Sequence, residues 1–244
     1  MILSYLGINI NINIMYMFNF NIPDNCHNVK IDIGLSYCAP QSHNWLKKEN
    51  NLMVFGFEPN PDAFTTIKYN RINLTNINKF NGRLHIFKTA LSNVEKEEEL
   101  EFYSTIKDCG TSSLYKPIDD MARDGQGFGY YNIIKVPVVS LKMFFDEFPW
   151  DRFEYIDYIK IDTQGSDLNI LKGAGEYLKE KVVFVTSEPD GYQYIGAHEC
   201  NTDNITNYMM SQNFVRVNHP NTTDPTFINK KYMLLKDKIY ISQS

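Results

Sequence analysis

Residues 30–42 read KIDIGLSYCAPQS. Together with the preceding Asn28 and Val29, the first four residues form a run that fits a buried strand. Gly34 then supplies a turn, and Pro40 suits the first turn of a helix. A strand that passes through a tight turn into a helix is the repeating unit of a parallel α/β sheet. The turn is poor in glycine, holding Gly34 alone, and that decides which ligand it suits.

The same unit recurs outward from this stretch. LMVFGF (52–57) predicts a second strand and PDAFTTIKYNRI (61–72) a helix with Ala63, Ile67 and Ile72 near one face. RLHIFKTAL (83–91) reads as one strand, and the acidic run EKEEELE (95–101) as a solvated turn feeding a strand at LEFYST. Residues 108–132, rich in Gly, Ser and Tyr, break the pattern and read as a loop insertion. Regularity returns with strands at 133–141, 155–162 and 181–188, and helices at 142–148, 166–180 and 204–213. Strands are expected last at FVRVN (214–218) and KYMLLK (231–236). The link between those two holds two prolines and no helical period, so the pair should run antiparallel. The fold class expected is α/β, a mostly parallel sheet with helices on both faces and a reversed last strand. One domain over 28–244 accounts for this, preceded by an extension over 1–27. Within that extension apolar residues alternate from Ile8 to Ile14 and again from Phe18 to Ile22, which predicts a half-buried strand.

Composition narrows the partners. The 244 residues carry a formal net charge of −5, with 43% hydrophobic and 22% charged residues. An acidic chain without a basic stripe argues against nucleic acid, whose binders show a positive footprint. No Lys or Arg precedes Lys30, and Asn interrupts each apolar run of the N-terminal segment. A signal peptide needs a basic start with a continuous apolar centre, and a membrane span about twenty mostly apolar residues. Neither pattern is there, so a cytoplasmic protein with no membrane partner is expected. Cys26, Cys38, Cys109 and Cys200 lie far apart with no CxxC pair, which signals neither zinc nor a redox motif.

Ligands of open α/β sheets bind beyond the carboxyl ends of the strands. Asp32, Glu58 and Asp162 all fall there. A carboxylate in the place of Glu58 can accept hydrogen bonds from both hydroxyls of a ribose. Pyrophosphate lies against bare backbone, which is why its loops need several glycines. S-adenosylmethionine has a ribose and an adenine but no phosphate. Its amino acid part needs one tight turn, where Gly34 tolerates unusual backbone angles, and Asp32 is placed to help hold its charged end. The glycine-poor loop followed by an acid therefore fits S-adenosylmethionine better than NAD.

Six segments, KIDIGLSYCAPQS, VFGFEPNP, TALSNVEKEEELEFY, GTSSLY, VPVVSL and IDYIKIDTQGSDLNILKGA, together resemble the FkbM-type methyltransferases over about residues 28–236. The resemblance implies a class I methyltransferase (Rossmann-like) fold, S-adenosylmethionine as donor, and a hydroxyl of a small molecule or a glycan sugar as acceptor. Carried over by position, Asp32, Gly34 and Ser36 fall on the family's Asp-x-Gly-Ala-Asn loop, with Leu35 and Ser36 replacing its Ala-Asn and Cys38 standing where a second glycine is usual. Ser42 matches a small hydroxyl residue in the following helix. Glu58 matches the ribose acid, Asn60 borders the adenine, and Ala90, Leu91 and Ser92 fall near the base. Asp162 matches the acid of the later motif, and Gln164 replaces a frequent Glu.

A sugar hydroxyl is a poor nucleophile, so a base or a metal nearby would help it attack the methyl group. Asp162, Glu188, Asp190, His198 and His219 are the candidates, with Asp162 or His198 expected to take the proton. A divalent metal on Asp162, Glu188 and a third oxygen ligand is conceivable, but no compact ligand spacing supports it. Residues 108–132 and the Tyr-rich DGYQYIG (190–196) are expected to shape the acceptor pocket. Two alternatives stay open: a non-catalytic S-adenosylmethionine-binding module and a nicotinamide-dependent oxidoreductase. An RNA ribose methyltransferase is disfavoured by the acidic balance. The sequence leaves the oligomeric state undetermined.

Overall fold

A computed structural model describes residues 17–69, 80–106, 109–118, 130–219 and 222–235. The alternation over Ile8–Ile14 lies outside these residues, as does the end of the helix expected to reach residue 72.

The chain begins with β1 (Asn28–Ile33), α1 (Pro40–Lys48), β2 (Leu52–Phe57), α2 (Pro61–Tyr69) and β3 (Leu84–Phe87). It continues through β4 (Ala90–Leu91), β5 (Glu98–Thr105), β6 (Lys116–Pro117), β7 (Tyr131–Val139), α3 (Leu141–Glu147) and β8 (Ile156–Ile161). Then come α4 (Asp167–Lys172), α5 (Tyr177–Lys181), β9 (Val182–Ser187), β10 (Tyr194–Ile195), α6 (Thr202–Ser211), β11 (Phe214–Val217) and β12 (Thr226–Asn229). Seven strands form the main sheet in the order β11-β12-β9-β8-β1-β2-β3, and β12 alone runs against its neighbours. β4, β7 and β5 make a second sheet, and β10 pairs with β6.

The sheet is covered on both faces. On one, Trp45 and Leu46 of α1 pack with Val54, Tyr158 and Phe184. On the other, Phe144 of α3, Leu168 and Leu171 of α4, and Ile205 and Met209 of α6 join Ile31, Phe55 and Ile159. Phe144 meets Phe55, Phe57 and Phe87 with ring centroids 5.3–5.7 Å apart, mostly edge to face, pairs worth about 0.5–1.5 kcal/mol each beyond their burial.

Four expectations change. The run 83–91 is two strands in two sheets. β3 pairs with β2, the chain bends at Thr89, whose hydroxyl donates to the Pro137 carbonyl at 2.8 Å, and Ala90–Leu91 pairs with β7. The helix expected over 166–180 breaks at Gly173-Ala174-Gly175. Gly175 takes φ 57°, and a Cβ on Gly173 would lie 2.6 Å from the Ser92 carbonyl, so helix and loop can close only over a bare backbone. The reversed strand is Thr226–Asn229 rather than 231–236. Asn229 turns the chain there: its amide donates to the carbonyls of Lys179 and Val182 while its oxygen accepts from the Lys231 N–H. Residues Lys230–Leu235 then coil as 3-10 turns. Phe18 to Ile22 keeps its alternation but pairs with no strand. Phe18 and Phe20 lie across Phe87, Phe144 and Phe148, and the carboxylate of Glu147 accepts from the Met17 and Phe18 N–H groups. Within 108–132, Lys116–Pro117 and Tyr131 are in strands, and residues 119–129 lie outside those described.

Candidate functional site

The registers of the parallel strands build the site. Ile33 stands opposite both Phe57 and Ile161, and Ile161 opposite Ser187. Three strand ends therefore align with β1, and the next residues, Gly34, Glu58, Asp162 and Glu188, form a row along the carboxyl edge. The ladder continues through that row: the N–H groups of Gly34, Asp162 and Glu188 donate to the carbonyls of Phe57, Ile33 and Ile161, each at 3.0 Å. Gly34 has φ 85°, and a Cβ there would stand 1.9 Å from the Asp162 carbonyl oxygen. Only glycine lets these two strand ends close. Ser36 and Ala39 also take positive φ, 55° and 43°, a conformation that costs a residue with a Cβ about 1–2 kcal/mol.

Above the row lies a cavity of about 420 Å³. Gly34, Ser36, Glu58, Ala90, Leu91, Asp162 and Glu188 all line it, as do Thr111, Ser112 and Leu114 from the expected loop insertion. Glu58 is 5% exposed. Its two oxygens accept from the Asn60 N–H at 2.8 Å and the Ser36 N–H at 3.0 Å. Burial nevertheless pushes its carboxyl up to about 8, because those backbone donors return only part of the lost hydration. Asp162 accepts from Lys160 Nζ and from Gln164 Nε2, both at 2.9 Å. Gln164 is fixed in turn by the Tyr194 hydroxyl at 2.8 Å. Burial also raises the Glu188 carboxyl, and Asp162, Asp190 and Asp224 push it further the same way.

Other predicted residues stand behind the cavity or away from it. Asp32 is buried under the loop, where one of its oxygens accepts from the Ser42 N–H at 3.1 Å and the Ser42 hydroxyl at 2.6 Å. Its other oxygen has no hydrogen-bond partner among the described residues. Asn60 caps α2 through the Asp62 N–H and donates to the hydroxyls of Ser104 and Ser112, so it fastens the wall rather than facing the space. Ser92 donates its N–H to Val139 and does not line the cavity. His198 is exposed on the loop before α6, outside the cavity, with its carbonyl accepting from Asn201. Tyr192 and Tyr130 are exposed, whereas Tyr194 is buried.

Two residues that sequence reasoning passed over hold the row together. Lys160 lies inside the apolar run of β8. Burial alone would lower its ammonium, but Asp162, Asp32 and Glu188 outweigh that and hold it above its ordinary value. Asp167 is fully buried. It accepts from the Thr163 N–H and hydroxyl on one side and from the Ser187 hydroxyl and Glu188 N–H on the other. It thereby ties the ends of β8 and β9. The signal for both is a charged residue inside or just after a buried strand, where only a partner makes it tolerable.

Among the described residues no basic side chain lines the cavity, while three carboxylates do. No group of three or more His, Cys, Asp or Glu residues is arranged to hold a metal ion, again among the described residues. No helix among them is long and apolar enough to cross a membrane.

Fold and site define an open α/β protein with a carboxylate-lined cavity at the carboxyl edge of its sheet. Within that class the chain belongs to the FkbM methyltransferase family: the family model described as the methyltransferase FkbM domain matches residues 33–215. The family points to methyl transfer. A crystal structure of methyltransferase FkbM from Methylobacillus flagellatus KT is 16% identical, with a TM-score of 0.45 over 87% of this chain and 45% of that one. The chain thus spans less than half the length of that protein. None of the curated proteins matches the chain.

Proposed function

We propose that the protein is an S-adenosylmethionine-dependent O-methyltransferase of class I architecture, acting on a hydroxyl of a small molecule or a sugar. The observation that carries this is Glu58, a buried carboxylate at the strand end beside the Gly34 turn, in a cavity that no basic side chain among the described residues lines. A pyrophosphate would meet three carboxylates there, which disfavours a nicotinamide dinucleotide. A sulfonium and an ammonium would face three acidic side chains, and their positive charge would favour loss of the protons that burial keeps on Glu58 and Glu188. The lone Gly34 and the reversed β12 support the same reading.

The residues fit the donor. Glu58 would accept from its ribose hydroxyls using the lone pairs left beside the Ser36 and Asn60 bonds. The turn at Gly34 would lie along its amino acid part, and Ala90 and Leu91 would give its adenine an apolar wall. When bound, S-adenosylmethionine supplies a methyl group already made electrophilic by the sulfonium. The chain's own work is to align the acceptor oxygen and exclude water. Glu188 and Asp162 border the place where the acceptor proton must go. Lys160 and Gln164 already donate to the two oxygens of Asp162. Glu188, whose carboxyl is pushed up by burial and by its acidic neighbours and which keeps its side chain free of those two donors, is the better base.

Calorimetry with S-adenosylhomocysteine and with NADH tests the proposal. The expected result is binding of the first and not the second. Binding of NADH alone, or of neither, refutes it. Binding of S-adenosylmethionine without methyl transfer to any hydroxyl compound would leave a binding module instead.

A further inference from the structure

A second cavity, of about 490 Å³, opens on the α1 face of the sheet. Gln41, Asn44 and Lys48 project into it at the spacing of one helix face. Its floor is β8 and β9, where Tyr158 and Lys160 lie beside Thr186. Tyr158, Thr186 and Thr226 already share a chain of hydroxyl contacts. The far wall is His219, Thr222 and Asp224, with Asp224 accepting from the Thr222 hydroxyl at 2.7 Å.

Two features of this cavity bear on the acceptor. Beside these polar groups it is lined by the rings of Trp45, Tyr158 and His219 and, among the described residues, by no aliphatic side chain. Side-chain amides, hydroxyls, a carboxylate and the Lys48 ammonium, set among aromatic rings, suit a ligand that offers many hydroxyls together with a ring face. The cavity also abuts the first one. Lys160 lines the second cavity and Asp162 the first, and their ion pair at 2.9 Å is the partition. The first cavity, at about 420 Å³, is near the small end of ligand sites, roughly 300–1,000 Å³. It has room for one nucleoside amino acid and little for a sugar beside it.

We propose that the second cavity is the acceptor subsite and takes a neutral, hydroxyl-rich ring of the hexopyranoside kind. This rests on the donor reading of the first cavity. Gln41 and Asn44 bond vicinal hydroxyls from α1, Asp224 accepts from a third on the opposite wall, and the reactive hydroxyl points across the Lys160–Asp162 partition. The acceptor oxygen forms its bond to the methyl carbon as the carbon–sulfur bond breaks. That electron pair stays on sulfur, and the hydroxyl proton passes to Glu188.

The test is a titration of the ¹⁵N-labelled chain with neutral methyl hexopyranosides, and with inorganic phosphate as an anion control, with and without S-adenosylhomocysteine. Expected are shifts in the side-chain amides of Gln41 and Asn44 and the backbone of Thr222. Asn44→Leu, on an exposed helix position, should abolish them and leave the S-adenosylhomocysteine Kd within about twofold, a shift too small to signal a lost contact. Shifts confined to Thr111, Ser112 and Leu114, shifts with phosphate only, or none with any glycoside overturn the assignment. The arm without S-adenosylhomocysteine reads this cavity by itself, so a failed donor reading shows separately as absent nucleoside binding.

Discussion

Replacing Glu58 by Gln should strip the protein of its donor while making the free fold more tolerant of alkali. A carboxylate gripping a diol accepts two charge-assisted hydrogen bonds, each worth about 1.5–3 kcal/mol. Gln keeps one neutral acceptor, so the loss comes to about 2–4 kcal/mol, or about 30- to 1,000-fold in Kd for S-adenosylhomocysteine. The stability effect has the opposite sign. Glu58 sits at about 8 in the folded chain against an ordinary 4.5. Its contribution to stability is therefore complete below about 4.5 and is lost as the pH climbs through about 8. The gap between those values corresponds to at most ~5 kcal/mol, at 1.36 kcal/mol per unit. The Gln amide must also face the N–H of Ser36 or Asn60, a mismatch of about 1–3 kcal/mol that is constant with pH. Urea unfolding at pH 5 and pH 9 isolates the titrating part. The variant's stability relative to wild type should rise by several kcal/mol, of order 3–5, between the two. Calorimetry at pH 7 in buffers of different ionisation enthalpy gives the companion readout: wild type should release about one proton on binding, and the variant none. Unchanged affinity, or parallel pH slopes for the two proteins, would refute the assignment of Glu58 as a buried, ligand-gripping acid.

Three further substitutions probe other parts of the construction. Gly34→Ala forces a Cβ to 1.9 Å from the Asp162 carbonyl and should destabilise the fold by more than about 4 kcal/mol; a normal melting curve with intact donor binding would contradict the geometry. Glu188→Gln should lower turnover about 10²- to 10⁴-fold while sparing S-adenosylhomocysteine binding. Wild-type turnover should climb on the alkaline side of the ordinary carboxylate range as Glu188 loses its proton, so a flat profile or an active variant removes it as the base. Lys30 is 1% exposed and paired with Glu49 over the Trp45 ring. Lys30→Met should cost about 3–5 kcal/mol, and adding Glu49→Met should restore most of it. Chemical denaturation of single and double variants measures this, and a double variant no better than the single one denies the coupling.

How far the sequence carried can be judged from particular residues. That Glu58, Asp162 and Glu188 share one cavity was legible because each ends an apolar run, and parallel registers bring such ends into one row. The tight turn at Gly34 was legible because the loop has no other glycine. Asp32 and Asn60 were placed in the right neighbourhood but turned away from the cavity, since the local sequence does not say whether a loop acid meets ligand or its own backbone. Lys160 and Asp167 were passed over because their meaning depends on partners in other elements. The reversed strand was expected, and its register was missed. Both TFIN and KYMLLK are short apolar runs, and the choice between them was made by the bonds of Asn229 to a helix some fifty residues earlier.

The place of β12 in the sheet has a consequence for synthesis. It fills the slot between β9 and β11, although it is made after both. While the ribosome is still short of residues 226–229, β9 presents an open row of peptide groups and β11 has nothing to join. A nascent chain halted there would carry a bare hydrophobic edge, the kind of surface that draws other chains or chaperones. This sheet is sealed from within by a late arrival, so a chain truncated before residue 226 should aggregate more than one truncated after residue 235.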